Sequence, residues 1–225
     1  MRSSCQARLL VVLVYAENYA EVVGCRRDAN AFQNRYVSPK RYKRGFGLAL
    51  QRGVSVNVSV YPVATDDEAA FLEAVRHSRS LMAGWVSPPD TSEGFVRHLG
   101  RYSTDNNYSF LAKCGDGSLV GCINLSEIVR GAFQSAYLGY YAFEPNSGKG
   151  LMKNAMAYVI SIAFHEMGLH RLEANIQPTN ARSIGLVKAL GFRLEGFSPR
   201  YLNIDGAWRD HERYAITCEE WSDTL

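Results

Sequence analysis

The sequence of 225 residues lacks the cysteine and histidine patterns of disulfide frameworks and metal sites. Its five cysteines are odd in number and scattered, and no two of them form a C-x-x-C pair. No two of its five histidines stand at H-x-x-x-H spacing. We therefore expect neither structural disulfides nor a metal ion, and the cysteine usage predicts a reducing, cytoplasmic environment.

Long apolar runs are missing as well. The run at 9–14 is far too short to span a bilayer. It is also not followed by a clean small-x-small cleavage site. The sequence therefore predicts no membrane segment and no signal peptide.

A strong excess of one charge is absent, because the net charge is only +3. Residues 1–52 hold ten of the basic side chains and three of the acidic ones, so the rest of the chain is mildly acidic. Nucleic-acid binding needs clustered basic charge, and none is expected here. We predict an atypical basic extension of unknown role at 1–52 and one folded domain at 53–225.

Strand and helix patterns alternate through this predicted domain. Valines at every second position of 54–60 predict a strand, and Thr65 with Glu68 resembles a capping box that opens a helix. A broad apolar stripe predicts a long helix at 150–167. The helix opened by Thr65 continues to about Val75. The other predicted elements are helices at 92–102 and 181–190, and strands at 108–113, 119–125, 136–143, 171–177, 192–194 and 209–217. The order β-α-α-β-β-β-α-β-α-β-β predicts an α+β (mixed α/β) fold.

A glycine-containing turn at 147–150 joins a predicted strand to the long helix. Gly148 and Gly150 permit positive φ and close approach of a ligand, and the first N–H groups of the helix favour an anion. The turn could equally be only a tight turn. It matches neither the Walker A pattern nor G-x-G-x-x-G, because Lys153 replaces the third glycine. A coenzyme A pyrophosphate fits the remaining x-x-G-x-G pattern.

A second signature lies at the start of the predicted helix at 181–190. Asn180 follows Pro178 and Thr179 and is a good N-cap, and Ser183 stands one turn into the helix. Helix capping alone would explain both residues. A ligand-binding role gains support from the glycine turn upstream.

With these motifs the sequence resembles the GNAT superfamily of N-acetyltransferases. Within that superfamily it is similar to the ribosomal-protein-alanine N-acetyltransferases of the RimJ type. The resemblance covers about 54–221, and residues 1–52 have no counterpart in it. The motifs that carry it are Asn124-Leu125-Ser126, Val129-Arg130-Gly131, Gly148-Lys149-Gly150-Leu151-Met152, Asn180-x-x-Ser183, Asp205-Gly206 and Trp208-Arg209-Asp210-His211.

The resemblance implies a twisted mixed sheet whose fourth and fifth strands splay apart, flanked by helices. It also implies acetyl-CoA as co-substrate, with the pantetheine arm in the opening between these strands and near Asn180. The implied cofactor-binding residues are Tyr140, Ala142, Phe143, Gly148, Lys149, Gly150, Leu151, Met152 and Asn180.

The implied reaction is direct attack of an amine on the thioester. The tyrosine that many family members use as proton donor is replaced by Val187, so Ser183 is the predicted donor to the thiolate. The backbone N–H near Tyr141 is the predicted oxyanion contact. The general base stays open between Glu127, Glu144 and Glu173.

The narrower resemblance implies that the acceptor is the alanine α-amine of a ribosomal protein such as S5, with the enzyme associating with the ribosome. The implied substrate-binding residues are Asn124, Ser126, Arg130, Tyr201, Asp210 and His211. Two alternatives stay open. The acceptor could be another protein N-terminus or a small amine or antibiotic, or the protein could be a non-catalytic acetyl-CoA-binding or ribosome-associated protein.

Overall fold

The computed structural model describes residues 58–222, and within them the chain forms a mixed sheet of seven strands. The strand order is β1-β2-β3-β4-β5-β7-β6, and every neighbouring pair is antiparallel except β4 and β5. The strands are β1 Val58–Pro62, β2 Tyr108–Cys114, β3 Leu119–Val129, β4 Ser135–Ala142, β5 Arg171–Ile176, β6 Arg193–Ile204 and β7 Ala207–Thr217. This sheet confirms the predicted α+β class.

Helices flank the sheet, as the sequence predicted. They are α1 Glu68–His77, α2 Arg79–Met82, α3 Ser92–Arg101, α4 Leu151–Ser161 and α5 Ala181–Ala189. A π-helical segment, Ile162–Glu166, continues α4, so the predicted helix at 150–167 is confirmed in extent. None of the described helices has the length and apolar character that a bilayer crossing requires.

Two apolar cores lie on the two faces of the sheet. The apolar stripe of α4 packs on one face, where Ala155, Met156 and Val159 are fully buried beside Leu138 of β4. The other face packs against α1 and α3. Near the end of β4 the side chains alternate between the cores, since Leu138 and Tyr140 face α4 whereas Tyr141 faces α1 and α3.

The start of α1 differs from the predicted capping box. The Asp67 carboxylate accepts a hydrogen bond from the Ala64 N–H at 2.8 Å, and Thr65–Asp67 forms a 3₁₀ turn before the helix. The prediction of Thr65 as N-cap with Glu68 was therefore wrong by one residue. Both Asp67 and Glu68 have a carboxylate that can accept a hydrogen bond from the backbone N–H three residues earlier. The sequence spacing does not tell which of the two does so.

The last two strands are much longer than predicted. β6 and β7 form a hairpin of 12 and 11 residues, whereas the sequence predicted strands at 192–194 and 209–217. Most of β6 is exposed and two register shifts interrupt its pairing, near Gly196 and between Ser198 and Leu202. An exposed, bulged strand has no regular apolar alternation for a sequence pattern to show.

The central feature of the sheet is a fork between β4 and β5. Their parallel pairing covers only Ser135–Tyr137 against Arg171–Glu173, and the strands then separate. On its other edge β4 stays paired with β3 as far as Ala142. The predicted splay of the fourth and fifth strands is confirmed. Of the predicted first strand, Val58 and Val60 lie in β1; Val54, Val56 and the extension at 1–52 lie outside the described residues.

Candidate functional site

The edge of β4 that faces the fork has a fixed set of backbone groups. The Phe143 N–H donates to the Val120 carbonyl directly opposite it, at 2.8 Å. In an antiparallel ladder this pairing recurs at every second residue, so Tyr141 also bonds to β3. The backbone groups of Tyr140 and Ala142 therefore point into the opening.

This geometry corrects the predicted oxyanion contact. The Tyr141 N–H faces β3, where Cys122 is its register partner, so it cannot also donate into the fork. Its neighbours Tyr140 and Ala142 have the required direction. The sequence could not separate them, because which residues of a strand face which neighbour depends on the register of the sheet.

The amino-terminal end of α5 lies across the opening from β4. The Tyr140 hydroxyl donates to the Ser183 carbonyl at 3.3 Å, and this contact bridges the two elements. Burial raises the pKa of Tyr140 to about 12, so the hydroxyl stays protonated at neutral pH. The Asn180 Oδ1 accepts from the Ser183 N–H at 3.2 Å, which confirms Asn180 as the N-cap. The Ser183 side chain also hydrogen-bonds with Tyr140.

The glycine turn lies where β4 leads into α4. Gly148 and Gly150 both have φ of +77°, a left-handed conformation that favours glycine, and Gly150 is the N-cap of α4. A Cβ atom built on either glycine would meet no atom within 4 Å. The space beside both glycines is thus open. The Lys153 N–H donates to the Gly150 carbonyl at 3.1 Å, whereas the N–H groups of Leu151 and Met152 have no partners within the helix.

Asn146 fixes this turn to the β2–β3 hairpin. It is only 7% exposed, and its Nδ2 donates to the Leu119 carbonyl at 3.0 Å and to the Ser118 hydroxyl at 2.9 Å. Its Oδ1 lies 3.4 Å from the Lys149 ammonium. The sequence did not single out Asn146, because nothing in the local pattern indicates burial of this polar side chain.

An unpaired strand edge leads directly to a helix amino terminus that favours anions. The edge can bind amide groups as an added strand would, and the helix terminus can bind phosphate. The combination suits a ligand that joins a diphosphate to an amide-containing arm.

Comparison with known proteins agrees with this geometry. Residues 58–193 match the family described as acetyltransferase (GNAT) domain. The chain belongs to this family. It is an N-acetyltransferase of the GNAT type whose co-substrate is acetyl-CoA, and the open turn and the free β4 edge fit that molecule.

Three relatives show how far the likeness extends. The [ribosomal protein uS5]-alanine N-acetyltransferase of Escherichia coli is 42% identical over 104 residues, which are 46% of this chain and 54% of that enzyme. The structure of Mycobacterium smegmatis RimJ in complex with CoA-disulfide is 32% identical with a TM-score of 0.65, covering 72% of this chain and 83% of that one. The ribosomal-protein-S5-alanine acetyltransferase of Vibrio fischeri is 26% identical with a TM-score of 0.65, covering 73% and 95%. The match to the E. coli enzyme thus spans about half of its length.

The predicted substrate residues divide into two groups. Asn124 and Ser126 lie on β3, on the face that carries α1 and α3, and Asn124 is buried with its Oδ1 3.5 Å from the Cys122 thiol. Tyr201 of β6 hydrogen-bonds with Tyr137 of β4, and this contact more than burial raises the pKa of Tyr137 to about 12. Tyr137 was not predicted, although it stands at the last β4–β5 pair before the fork.

The remaining predicted residues have contacts that explain them structurally. Arg130 donates to the Met167 carbonyl at 2.6 Å and so ties the loop after β3 to the end of the π-helical segment. Asp210 accepts from the Arg200 N–H at 2.7 Å inside the β6–β7 hairpin. The assignment of Arg130 and Asp210 to the substrate stays a prediction. His211 is buried, and its ring lies 6.1 Å from that of Tyr201.

The three candidate bases lie in different places. Glu127 is at the end of β3 and pairs with Arg101 at 3.3 Å, and Glu144 is exposed in the loop after β4. Glu173 is the register partner of Tyr137 at the fork, with Arg171 at 2.9 Å from its carboxylate. Of the three, only Glu173 borders the opening.

Proposed function

We propose that the protein acetylates the α-amine of an amino-terminal alanine on a ribosomal protein of the uS5 type. The observation that carries the proposal is the opening between β4 and β5, bordered by the Gly148–Gly150 turn and by Ser183. The choice of acceptor is supported by the E. coli and V. fischeri relatives, whose names state this substrate. The ribosomal protein, free or on the ribosome, is the macromolecular partner in this proposal.

Acetyl-CoA would lie along the free edge of β4. The pantetheine amides would pair with the backbone of Tyr140 and Ala142, the strand continuing into Phe143. The Asn180 amide would contact the same arm from α5. The diphosphate would accept hydrogen bonds from the N–H groups at 148–152, with the Lys149 ammonium beside it.

The proposed reaction is a direct transfer of the acetyl group from sulfur to nitrogen. The neutral amine attacks the thioester carbon, the new N–C bond forms, and an N–H group of Tyr140 or Ala142 stabilises the oxyanion. The C–S bond then breaks, and the Ser183 hydroxyl gives its proton to the leaving thiolate. The amine loses a proton to Glu173, directly or through water, and that proton restores Ser183 through solvent.

An α-amine suits this weakly basic site. Its pKa is about 7.7–8.0, so on the order of a tenth of the molecules are neutral near pH 7, against far fewer for lysine near 10.4. A carboxylate or a water molecule is then sufficient as base. A lysine acceptor would require stronger assistance than Glu173, already paired with Arg171, provides.

A transfer assay tests the proposal. The protein is incubated with labelled acetyl-CoA and one of four acceptors. Two are peptides: an alanyl peptide from the amino terminus of uS5, and the same peptide with its α-amine blocked and a lysine side chain free. The other two are spermidine and an aminoglycoside. We expect label on the α-amine of the first peptide, located by mass spectrometry. Preferred labelling of spermidine or the aminoglycoside would show a small-amine enzyme, and CoA binding without transfer to any acceptor would show a non-catalytic protein.

A further inference from the structure

Two buried polar atoms without partners face each other across β5 and β7. Neither Asn175 Oδ1 nor Arg213 Nε has a hydrogen-bond partner among the described residues. The two residues are register partners, so their side chains are neighbours on one face of the sheet. Buried polar atoms are nearly always paired in folded proteins, and two unpaired ones side by side indicate a ligand that satisfies both.

These atoms adjoin the fork. Tyr137 and Glu173 form the last β4–β5 pair before the strands separate. Asn175 is two residues farther along β5, on the same face as Glu173. The Tyr137 hydroxyl lies within electrostatic range of both Glu173 and Arg213. We call the group of Tyr137, Glu173, Asn175 and Arg213 the fork patch.

The two charged side chains of the fork patch differ in their ion pairing. The Glu173 carboxylate is 2.9 Å from Arg171, whereas Arg213 has no carboxylate within ion-pair distance in the part of the chain described. The Arg213 guanidinium packs over Gly196 of β6, with its Nη2 3.0 Å from the position that a Cβ there would occupy. A guanidinium offers a planar fork of donors that suits a carbonyl or carboxylate oxygen. The same charge disfavours a second cation on the acceptor.

A loop encloses the end of β5 next to the patch. The Gln177 Nε2 donates to the Gly84 carbonyl at 2.8 Å, and the Ser87 hydroxyl bonds to the Asp205 carboxylate at the β6–β7 turn. Between this loop, α1 and the hairpin turn lies a cavity of about 270 Å³. The loop thus contacts both the residue after β5 and the β6–β7 turn.

We infer that the fork patch binds the first residue of an acceptor polypeptide, with the α-amine at Glu173 and Asn175 Oδ1 and the first carbonyl oxygen on the Arg213 guanidinium. This inference rests on the proposed function and adds how the acceptor is recognised. Glu173 and Asn175 lie two residues apart on one face of β5, and Arg213 is the register partner of Asn175 on β7. An amine between the first two side chains therefore has its following carbonyl within reach of the third. A polyamine has no such carbonyl and would bring a second positive charge to Arg213.

Steady-state kinetics with Arg213→Met tests the inference. The KM for the alanyl peptide is expected to rise roughly tenfold or more, since a hydrogen bond to a charged group contributes about that factor. The KM for acetyl-CoA should be unchanged. With 2-aminopropan-1-ol, an amine that lacks the carbonyl, the wild type and Arg213→Met should have equal kcat/KM. Arg97→Met, on the exposed surface of α3, is the matched control.

A charge reversal sharpens the test. Arg213→Glu should lower kcat/KM for the alanyl peptide and raise it for spermidine, while thermal unfolding and acetyl-CoA binding report whether the variant folds. An unchanged peptide KM in a folded Arg213→Met protein overturns the inference but leaves the proposed function standing. A wild type that prefers spermidine to the peptide overturns both. Asn175→Ala gives a second readout, with a raised peptide KM expected even if Arg213 variants fold poorly.

Discussion

The two ends of the opening between β4 and β5 are built in different ways. At the cofactor end the groups are backbone: the free edge at Tyr140 and Ala142, and the N–H groups after Gly150. At the acceptor end they are side chains of separate strands, Glu173 on β5 and Arg213 on β7. A backbone site tolerates changes of side chain but not added bulk. A site made of side chains, in contrast, loses binding when one of those side chains is changed.

This difference explains what the sequence could predict. The glycine turn and the Asn180 N-cap are local patterns, and most strands and helices can be read from periodicity. The splay of the fourth and fifth strands was implied by the resemblance to the GNAT superfamily. The fork patch depends on register partners such as Asn175 and Arg213, which are 38 residues apart in the chain. The direction of the Tyr141 N–H depends on register too. Neither leaves a local signal, so the sequence alone did not bring Asn175 and Arg213 together.

The largest expected effect on activity is that of a change at Ser183, where the cofactor end and the acceptor end of the opening meet. Ser183→Ala should lower kcat by on the order of 10²-fold, the range of general-acid effects, and leave the Kd for acetyl-CoA little changed. Isothermal titration and initial rates measure the two quantities. Ser80→Ala, exposed on α2, serves as control. An unchanged kcat in Ser183→Ala would reject Ser183 as the proton donor.

Added bulk at the cofactor end should have the next largest effect. Gly150→Val places a branched side chain at the helix terminus and should raise the Kd for CoA about tenfold, by removing one or two hydrogen bonds to the diphosphate. Gly206→Val, at the β6–β7 turn with φ of +79°, introduces the same backbone strain away from the turn. Both variants should unfold at lower temperature. Equal CoA affinity in the two would contradict a diphosphate site at Gly150.

Removal of a side chain at the same end should matter much less. Lys149 is exposed, and an exposed charge pair contributes up to about 1 kcal/mol. Lys149→Ala should therefore raise the Kd for CoA less than about fivefold. The Kd of the wild type should also depend on salt concentration more strongly than the Kd of the variant. A loss as large as that in Gly150→Val would mean that side chains, not backbone, dominate the cofactor end.

The smallest effect concerns the pH dependence of stability. His98 of α3 lies 2.9 Å from the Ser109 hydroxyl, and burial lowers the pKa of His98 to about 4. The unfolded chain binds this proton near pH 6.5, so the stability that neutral His98 contributes is present above that pH and is lost as pH falls toward 4. His98→Gln should weaken this pH dependence of the denaturation midpoint. His77→Gln, exposed at the end of α1, should leave it as in the wild type.

The central claim is that acetyl-CoA binds along the free edge of β4. Amide hydrogen exchange along this strand tests it most directly. The amides of Tyr141 and Phe143 bond to β3 and should be protected with and without CoA. Those of Tyr140 and Ala142 should exchange faster in the free protein and become protected when CoA binds. Protection of all four amides without ligand, or no change at Tyr140 and Ala142 on saturation with CoA, would contradict the account.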